Sequence, residues 1–487
     1  MGGMSSELAP QVATLEEARE LIQVLWLKLA EQSKQIEAQA AQIEAQAAQI
    51  KALEEKLNTN SRNSSKPPST DQGAGKGTGK KKTRSGKKAG GQPGHVGRGR
   101  SFFPAEQVDQ THPLYPPRHC ECGGKVRATR LHQRHQTMDI PPIKPQITEY
   151  QLFAGACQAC GKQHEAVLPA DVCGKLVGPR LLALIGALTG GYRLSKRLVQ
   201  SLLKDVFHID LSVGLISQSE ARISAVLETI VQEAHTHVQQ AGVVHSDETG
   251  HKEKGKKQWM WVAIAGVVSV FMARAARSAD IAKELLGSAF AGILVSDRYS
   301  AYTWVDAARR QWCWAHLLRD FTKISERSGV AGQVGEQLLA HTKRMFRYWH
   351  KVRDGTLSRE KFIQCMTHIQ AKMEAALQRA VLQGDAQTAN TCKRILKFKT
   401  ALWTFVYTPG VEPTNNLAER TIRSYVIWRK TSFGTQSKRG SVYMERMMTA
   451  VGSCKLQGRN VLEFLTLAIR AHGANAKMPS LIPASAG

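Results

Sequence analysis

Two short strings, Val243-Val244-His245-Ser246-Asp247 and Ile293-Leu294-Val295-Ser296-Asp297, each carry an apolar run into Ser-Asp. Runs of this length and β-branched content read as buried strands. A carboxylate at or just past the end of a buried strand is costly unless something cationic offsets it. One such Asp alone would more simply open a turn or cap a helix. Two, on neighbouring strands, offer hard oxygen ligands suited to Mg2+ or Mn2+. A third acid, Glu419, stands in Pro413-Thr414-Asn415-Asn416-Leu417-Ala418-Glu419-Arg420. Thr414 or Asn415 can cap a helix, and Glu419 then falls in its first turns, where it can complete a two-Asp site from the side. Its plainer role is an exposed pair with Arg423, four residues on. Glu412 and Glu445 are rival acids.

A second constellation is Cys120, Cys122, Cys157 and Cys160, each pair followed by glycine. Two tight turns presenting two thiolates apiece suit a structural zinc ion, and the glycines relieve the turns. Cys157-x-x-Cys160 has ordinary spacing. Cys120-x-Cys122 is one residue short, and His119-x-x-Cys122 restores it, so His119 and Cys120 compete for one ligand position. Cys173 is a spare ligand or a buried thiol. Cys313-x-x-His316 is another potential metal pair, although a DNA-contacting or packed His316 is simpler, and Trp312 with Trp314 suggests strand core. The nine Cys are an odd number in a chain whose first ten residues lack a secretion pattern. That favours reduced thiols over a disulfide framework.

The elements that must position these groups follow from periodicity. Ile22, Leu29, Ile36, Ile43, Ile50 and Leu57 recur at seven-residue steps, and QIEAQAA repeats from Gln35 and from Gln42. A sustained seven-residue seam predicts a left-handed coiled coil between copies of the chain; a long helix lying on its own protein is the blander alternative. Residues 59–105 are rich in Ser, Gly, Pro and Lys, with Lys80, Lys81, Lys82, Arg84, Lys87 and Lys88 and no acid between Gln72 and Ala105. Such a segment predicts a disordered basic arm that binds phosphates without reading sequence. No Walker-type phosphate loop is present. From 175 to 240 the apolar spacing is helical. Then Val243–Val244, Trp259–Ala265, Val267–Met272 and Ile293–Val295 read as strands, with a helix over Ser278–Leu286. Arg310–Trp314 reads as a further strand, Leu317–Trp403 as polar helices, and Val461–Ile469 as a last helix.

The chain has 487 residues, with 67 Lys and Arg against 40 Asp and Glu, a net charge of +27. So basic a chain implies a polyanionic partner, most simply nucleic acid. The longest near-apolar run, Trp259–Ala273, is too short to cross a bilayer and is interrupted by Gly266, so no membrane association is expected.

The strings HSDETG at His245, VSDRYSAY at Val295, CWAHLLRDF at Cys313 and NNLAERTIRSYVIWRK at Asn415 resemble transposases of the insertion sequence 66 family, within the DDE superfamily. The resemblance runs over nearly the whole chain; NN-x-AER together with CWAH carries most of it. Gly250 and Ser424 depart from prolines frequent in that family, and Trp428 from a frequent glycine. The resemblance implies an α/β ribonuclease-H-like core with a helical insertion, preceded by a coiled-coil helix, a disordered basic arm and a zinc-ribbon-like segment. It implies Asp247, Asp297 and Glu419 as catalytic triad and as ligands of two Mg2+ or Mn2+ ions about 4 Å apart. Zinc would be structural. Arg298, His316, Arg420, Arg423, Arg429 and Lys430 would meet DNA. The partners implied are transposon terminal inverted repeats and target DNA, further copies of the chain, and accessory proteins of the same element, in a bacterial cytoplasm at the nucleoid. A catalytically inactive DNA-binding protein and a ribonuclease-H-like nuclease or resolvase are the rival functions. The expected divisions are 1–58 zipper helix, 59–105 arm, 106–174 zinc segment and 175–240 helical linking region. They continue as 241–321 first core part, 322–405 insertion, 406–471 last core part and 472–487 tail.

Overall fold

The computed structural model of the chain describes residues 12, 14–64, 101–169, 172, 174 and 176–484. The basic cluster Lys80, Lys81, Lys82, Arg84, Lys87 and Lys88, and also Cys173, lie outside the described residues. The chain divides into two compact units, Met1–Ala74 with Gln311–Thr414, and Gly75–Arg310 with Asn415–Gly487. No described helix is long and apolar enough to cross a membrane.

In the first unit, helix α1 spans Leu15–Leu57. The Glu17 N–H donates to Thr14 Oγ1 and the Thr14 N–H to Glu17 Oε2, a reciprocal cap that fixes where the helix starts. Ile22, Leu29, Ile36, Ile43, Ile50 and Leu57 are all exposed, so the apolar seam faces outward along the helix.

The second unit opens with an exposed segment whose only paired strands among the described residues are β1, Ala154–Ala156, and β2, Gln163–Glu165. Four helices follow: α2 Pro179–Gly186, α3 Lys196–Phe207, α4 Val213–Val226 and α5 Glu228–Gln239. Pro179 opens α2, and the hydroxyls of Ser195 and Ser212 cap α3 and α4. Leu182, Ile185, Ile216, Ile223 and Ile230 face one continuous core.

That core continues into a sheet. Strands β3 Val243–Glu253, β4 Lys256–Ala265 and β5 Val268–Arg274 form an antiparallel meander. Lys254 and Gly255 make the first turn, both with positive φ, as a two-residue hairpin loop requires. Helix α6, Ala279–Leu286, carries the chain back to β6, Ile293–Ser296, which pairs parallel to β3. Gly292 allows this return, because a Cβ there would lie 2.3 Å from the Ala241 carbonyl oxygen. A short strand β7, Arg310–Trp312, completes the order β5-β4-β3-β6-β7; the boundary between the units falls inside it. Most of β4 and all of β5 but its last residue are buried without alternation, so both sheet faces are covered.

Residues 311–414 are otherwise helical: α7 Trp314–Ser325, α8 Gly329–Arg353, α9 Arg359–Gln383, α10 Ala386–Lys397 and α11 Thr404–Tyr407. Trp314 opens α7 and does not extend the strand as expected; its indole donates to the Leu402 carbonyl at 2.8 Å. Trp349, Phe362, Trp403 and Phe405 stack about this core. Near the beginning and end of the segment, the Trp314 N–H donates to the Pro413 carbonyl at 3.0 Å. The second unit then closes with α12 Asn416–Ser432, α13 Lys438–Leu456 and α14 Val461–Gly473.

Candidate active site

The parallel register pairs Val243 with Ile293, Val244 with Leu294 and His245 with Val295. Asp247 lies two residues past His245, the last β3 residue of this ladder, and Asp297 two residues past Val295, its last β6 residue. Asp297 directly follows the last residue of β6. Asp247 does not end its strand as expected. It lies mid-way along β3, because the ladder to β4 continues from His245–Ile264 to Glu253–Lys256 through residues too polar to register as an apolar run.

The third acid arrives from α12. Of Thr414 and Asn415, the two expected caps, Asn415 occupies the N-cap position of α12, but its side chain makes no cap bond. Its Nδ2 donates to the Ser246 carbonyl at 2.8 Å, and its Oδ1 lies 3.1 Å from His245 Nδ1. The buried amide therefore ties the start of the helix to β3 beside Asp247. The Glu419 N–H closes the first helical turn on the Asn415 carbonyl at 3.1 Å, which puts Glu419 one turn from that anchor.

The electrostatics report the same gathering. Burial pushes the Asp247 carboxyl well above the usual carboxylate range, and the charges of Glu248, Asp297 and Glu419 push it the same way. The Glu248 N–H, donating to Asp247 Oδ1 at 2.8 Å, offsets only part of this. Hard oxygen donors set around one buried carboxyl of raised proton affinity fit a divalent cation, which would relieve their repulsion.

Two residues at this place were missed by sequence reasoning. Glu248 is buried on β3, and Arg277 precedes α6. Arg277 Nε donates to Glu248 Oε1 at 2.9 Å, and its Nη2 contacts the same oxygen. Tyr302 Oη donates to Glu248 Oε2 at 2.6 Å. The guanidinium lies over the rings of Trp259 and Tyr299, 4.8 and 3.6 Å from their centroids. A buried acid of the string Asp-Glu-Thr was the only signal available, and its partner 29 residues away leaves no spacing signature.

Of the rival acids, Glu445 accepts from the Ala273 N–H at 3.0 Å and from Arg274 at 3.2 Å, which commits it to holding β5. Glu412 is exposed in the other unit. Among the basic candidates, Arg420, Arg423 and Lys430 form an exposed stripe on α12, while Arg298 is half-buried directly after Asp297. Arg429 turns Nη1 onto the Gly250 carbonyl, and a Cβ at Gly250 would stand 3.0 Å from that nitrogen. His316 sits half-buried in the first turn of α7, next to Cys313 at its cap.

In the Cys segment both expected turns form. The Gly123 N–H donates to the Cys120 carbonyl and the Gly161 N–H to the Cys157 carbonyl, each at 2.8 Å, and both glycines have positive φ. Hydrogen bonds to Cys120 from the backbone and thiol of Cys122, and to Cys157 from the backbone of Cys160 and Ala159, lower both thiols. The His119 backbone pairs with that of Lys125 in an isolated antiparallel bridge. Among the described residues, no three of these ligands come within 4.8 Å of one another.

A family model described as Transposase IS66 family matches residues 174–443, and one described as a family of unknown function matches residues 7–101. The chain is 26% identical over 422 residues to the uncharacterized protein y4qI of Sinorhizobium fredii (strain NBRC 101917 / NGR234), covering 78% of this chain and 75% of that protein. It is 21% identical over 381 residues to the uncharacterized protein y4hP of the same organism, covering 70% and 68%. The match at residues 174–443 takes in the five-stranded sheet and the positions of Asp247, Asp297 and Glu419, and with it the chain belongs to the IS66 family of transposases.

Proposed function

We propose that this transposase cleaves DNA strands at the ends of its element and joins them to target DNA in one active site made by Asp247, Asp297 and Glu419. The observation that carries the reading is the Asn415 amide, which ties the start of the helix bearing Glu419 to the strand bearing Asp247, while Asp297 follows the strand paired with it; acids brought together in this way are costly without a cation. Together they would hold two divalent cations, Mg2+ or Mn2+. Bound there, the cations would supply a water or 3′-hydroxyl of lowered pKa and charge stabilisation at the scissile phosphate. Asp247 and Asp297 orient their oxygens from adjacent strands, and Glu419 approaches from the helix that Asn415 anchors. Arg420, Arg423 and Lys430 line up on the exposed face of α12 to take DNA phosphates, with the salt dependence that such contacts bring. No Ser or Tyr nucleophile is needed.

The strand order β5-β4-β3-β6-β7, antiparallel through β3 and parallel to β6, supports a ribonuclease-H-like core interrupted by a helical insertion. The two Cys turns support a structural zinc ribbon formed when the ion gathers them. The outward heptad seam of α1 supports assembly of several copies, which would hold both element ends together, with accessory proteins of the element as further partners. The site of action is DNA in the bacterial cytoplasm.

The test is nicking of an element-end duplex by purified protein with Mg2+ or Mn2+, with Asp247→Ala as control. Cleavage lost in the variant supports the reading. Equal inactivity of both makes the chain a regulatory DNA-binding protein, and cleavage of hybrids or junctions without regard to end sequence makes it a nuclease or resolvase.

A further inference from the structure

The two aspartates are joined by a continuous path that has no part in the assigned triad. Asp247 Oδ1 accepts the Glu248 N–H at 2.8 Å. Glu248 is gripped by two nitrogens of Arg277. The Arg277 carbonyl accepts the Tyr299 hydroxyl at 2.5 Å, and the Arg277 guanidinium carbon lies over the Tyr299 ring, 3.6 Å from its centroid. The Tyr299 N–H closes the path by donating to Asp297 Oδ1 at 2.9 Å. Tyr302, three residues further along the chain, binds both Glu248 Oε2 and Ser246 Oγ, so β3 is held from a second point.

We infer that Arg277, through Glu248 and Tyr299, is a positioning residue that fixes the spacing and orientation of Asp247 and Asp297. β3 and β6 are hydrogen-bonded only as far as His245 and Val295, so the sheet ladder stops before either aspartate. Beyond that point the Glu248–Arg277–Tyr299 path takes over. Arginine suits the task. Its planar fork bonds one carboxylate while its faces stack on Trp259 and Tyr299, so little freedom is left to it. Glu248 has its two oxygens committed to Arg277 and Tyr302, which leaves it as support for the aspartates and not as a further ligand. Partners of this kind behind metal-binding carboxylates typically contribute roughly ten- to a hundred-fold to metal affinity.

The inference rests on the metal-site reading above, and one experiment separates the two. Mn2+ is titrated into the full-length protein and followed by calorimetry and by electron paramagnetic resonance of the bound ion. Wild type, Arg277→Met, Arg277→Lys and the double variant Glu248→Gln with Arg277→Met are compared, each corrected for its folded fraction. The double variant removes the buried carboxylate that Arg277→Met leaves unpaired, and so keeps the fold available. Arg274→Met, which breaks contacts to Glu284 and Glu445 away from the path, is the control. The expected result is Mn2+ binding weakened roughly ten-fold or more in all three Arg277 variants, with a broadened resonance, and wild-type affinity in the control. Wild-type Mn2+ affinity in folded Arg277 variants overturns the inference and leaves the metal site standing. No Mn2+ binding by the wild type overturns the metal site itself.

Discussion

Asn415 donates its side-chain N–H to the carbonyl of Ser246, 169 residues earlier, at 2.8 Å. One buried amide thus joins the strand that carries Asp247 to the helix that carries Glu419. Asn415→Ala would leave the Ser246 carbonyl and His245 Nδ1 without this partner. We expect a loss of about 2 kcal/mol in chemical denaturation, the usual cost of orphaned buried polar groups. Cleavage should fall with it, because Glu419 loses its anchor. An unchanged denaturation midpoint would show that the helix start is held by other means.

Glu419 and Glu445 are both helix-borne acids of the second unit, and of the two Glu419 is the one whose charge bears on the Asp247 carboxyl. Glu419→Gln should lower strand cleavage roughly a thousand-fold, about 4 kcal/mol of transition-state stabilisation, at an unchanged or raised melting temperature. Glu445→Ala should do the reverse. It removes the acceptor of the Ala273 N–H and of Arg274, so the melting temperature drops while cleavage per folded molecule stays near wild type. Exchange of these two outcomes would make Glu445 the third acid.

His251 is buried among Tyr425, Thr435 and Ser441, and burial pulls its imidazole down to about 4. Glu253 favours the charged ring and Arg429 opposes it. The folded ring is therefore neutral over a range in which the unfolded ring takes up a proton. Its contribution to stability is complete above pH 6.5 and is lost as pH falls through 6.5 toward 4, by up to about 1.4 kcal/mol per pH unit. Melting temperature measured from pH 7 to pH 4.5 should fall less steeply in His251→Gln than in wild type. Parallel curves would mean that the ring is charged in the fold.

Cys157→Ser should remove about one equivalent of zinc per chain in elemental analysis, since a structural site needs all four ligands. Full zinc occupancy in this variant rejects the ribbon. Cys120→Ser and His119→Ala, compared in the same way, identify which of the two is the fourth ligand.

Particular elements show how far sequence could be read. The apolar runs located β4, β5 and β6 closely, and the seven-residue repeat located α1, because buried strands and heptad seams have strong periodic signatures. β3 was read too short: from Asp247 to Glu253 it is polar or charged and is held by pairing with β4, an interaction invisible in local composition. Trp314 was read as strand because bulky aromatics favour sheets, yet the indole is satisfied from a helix start by the Leu402 carbonyl. Asn415 holds the N-cap position that its residue type suggests, but nothing local signals that its amide is used on a strand far back in the chain. The grip of Arg277 on Glu248 had no signature at all. Cys spacing predicted the two turns but not how far apart their sulfurs stand.

The hydrogen bond from Trp314 to Pro413 closes residues 311–414 on themselves. Ordering an open stretch of that length would burden the assembly of Asp297 with Glu419 by its closure entropy, which grows with the logarithm of loop length. A helical segment that folds on local contacts and pinches its own two ends together behaves instead like a hairpin bend. Asn415 can then find β3 at the entropic cost of a short connection, and the segment can change in length through evolution without moving the acids.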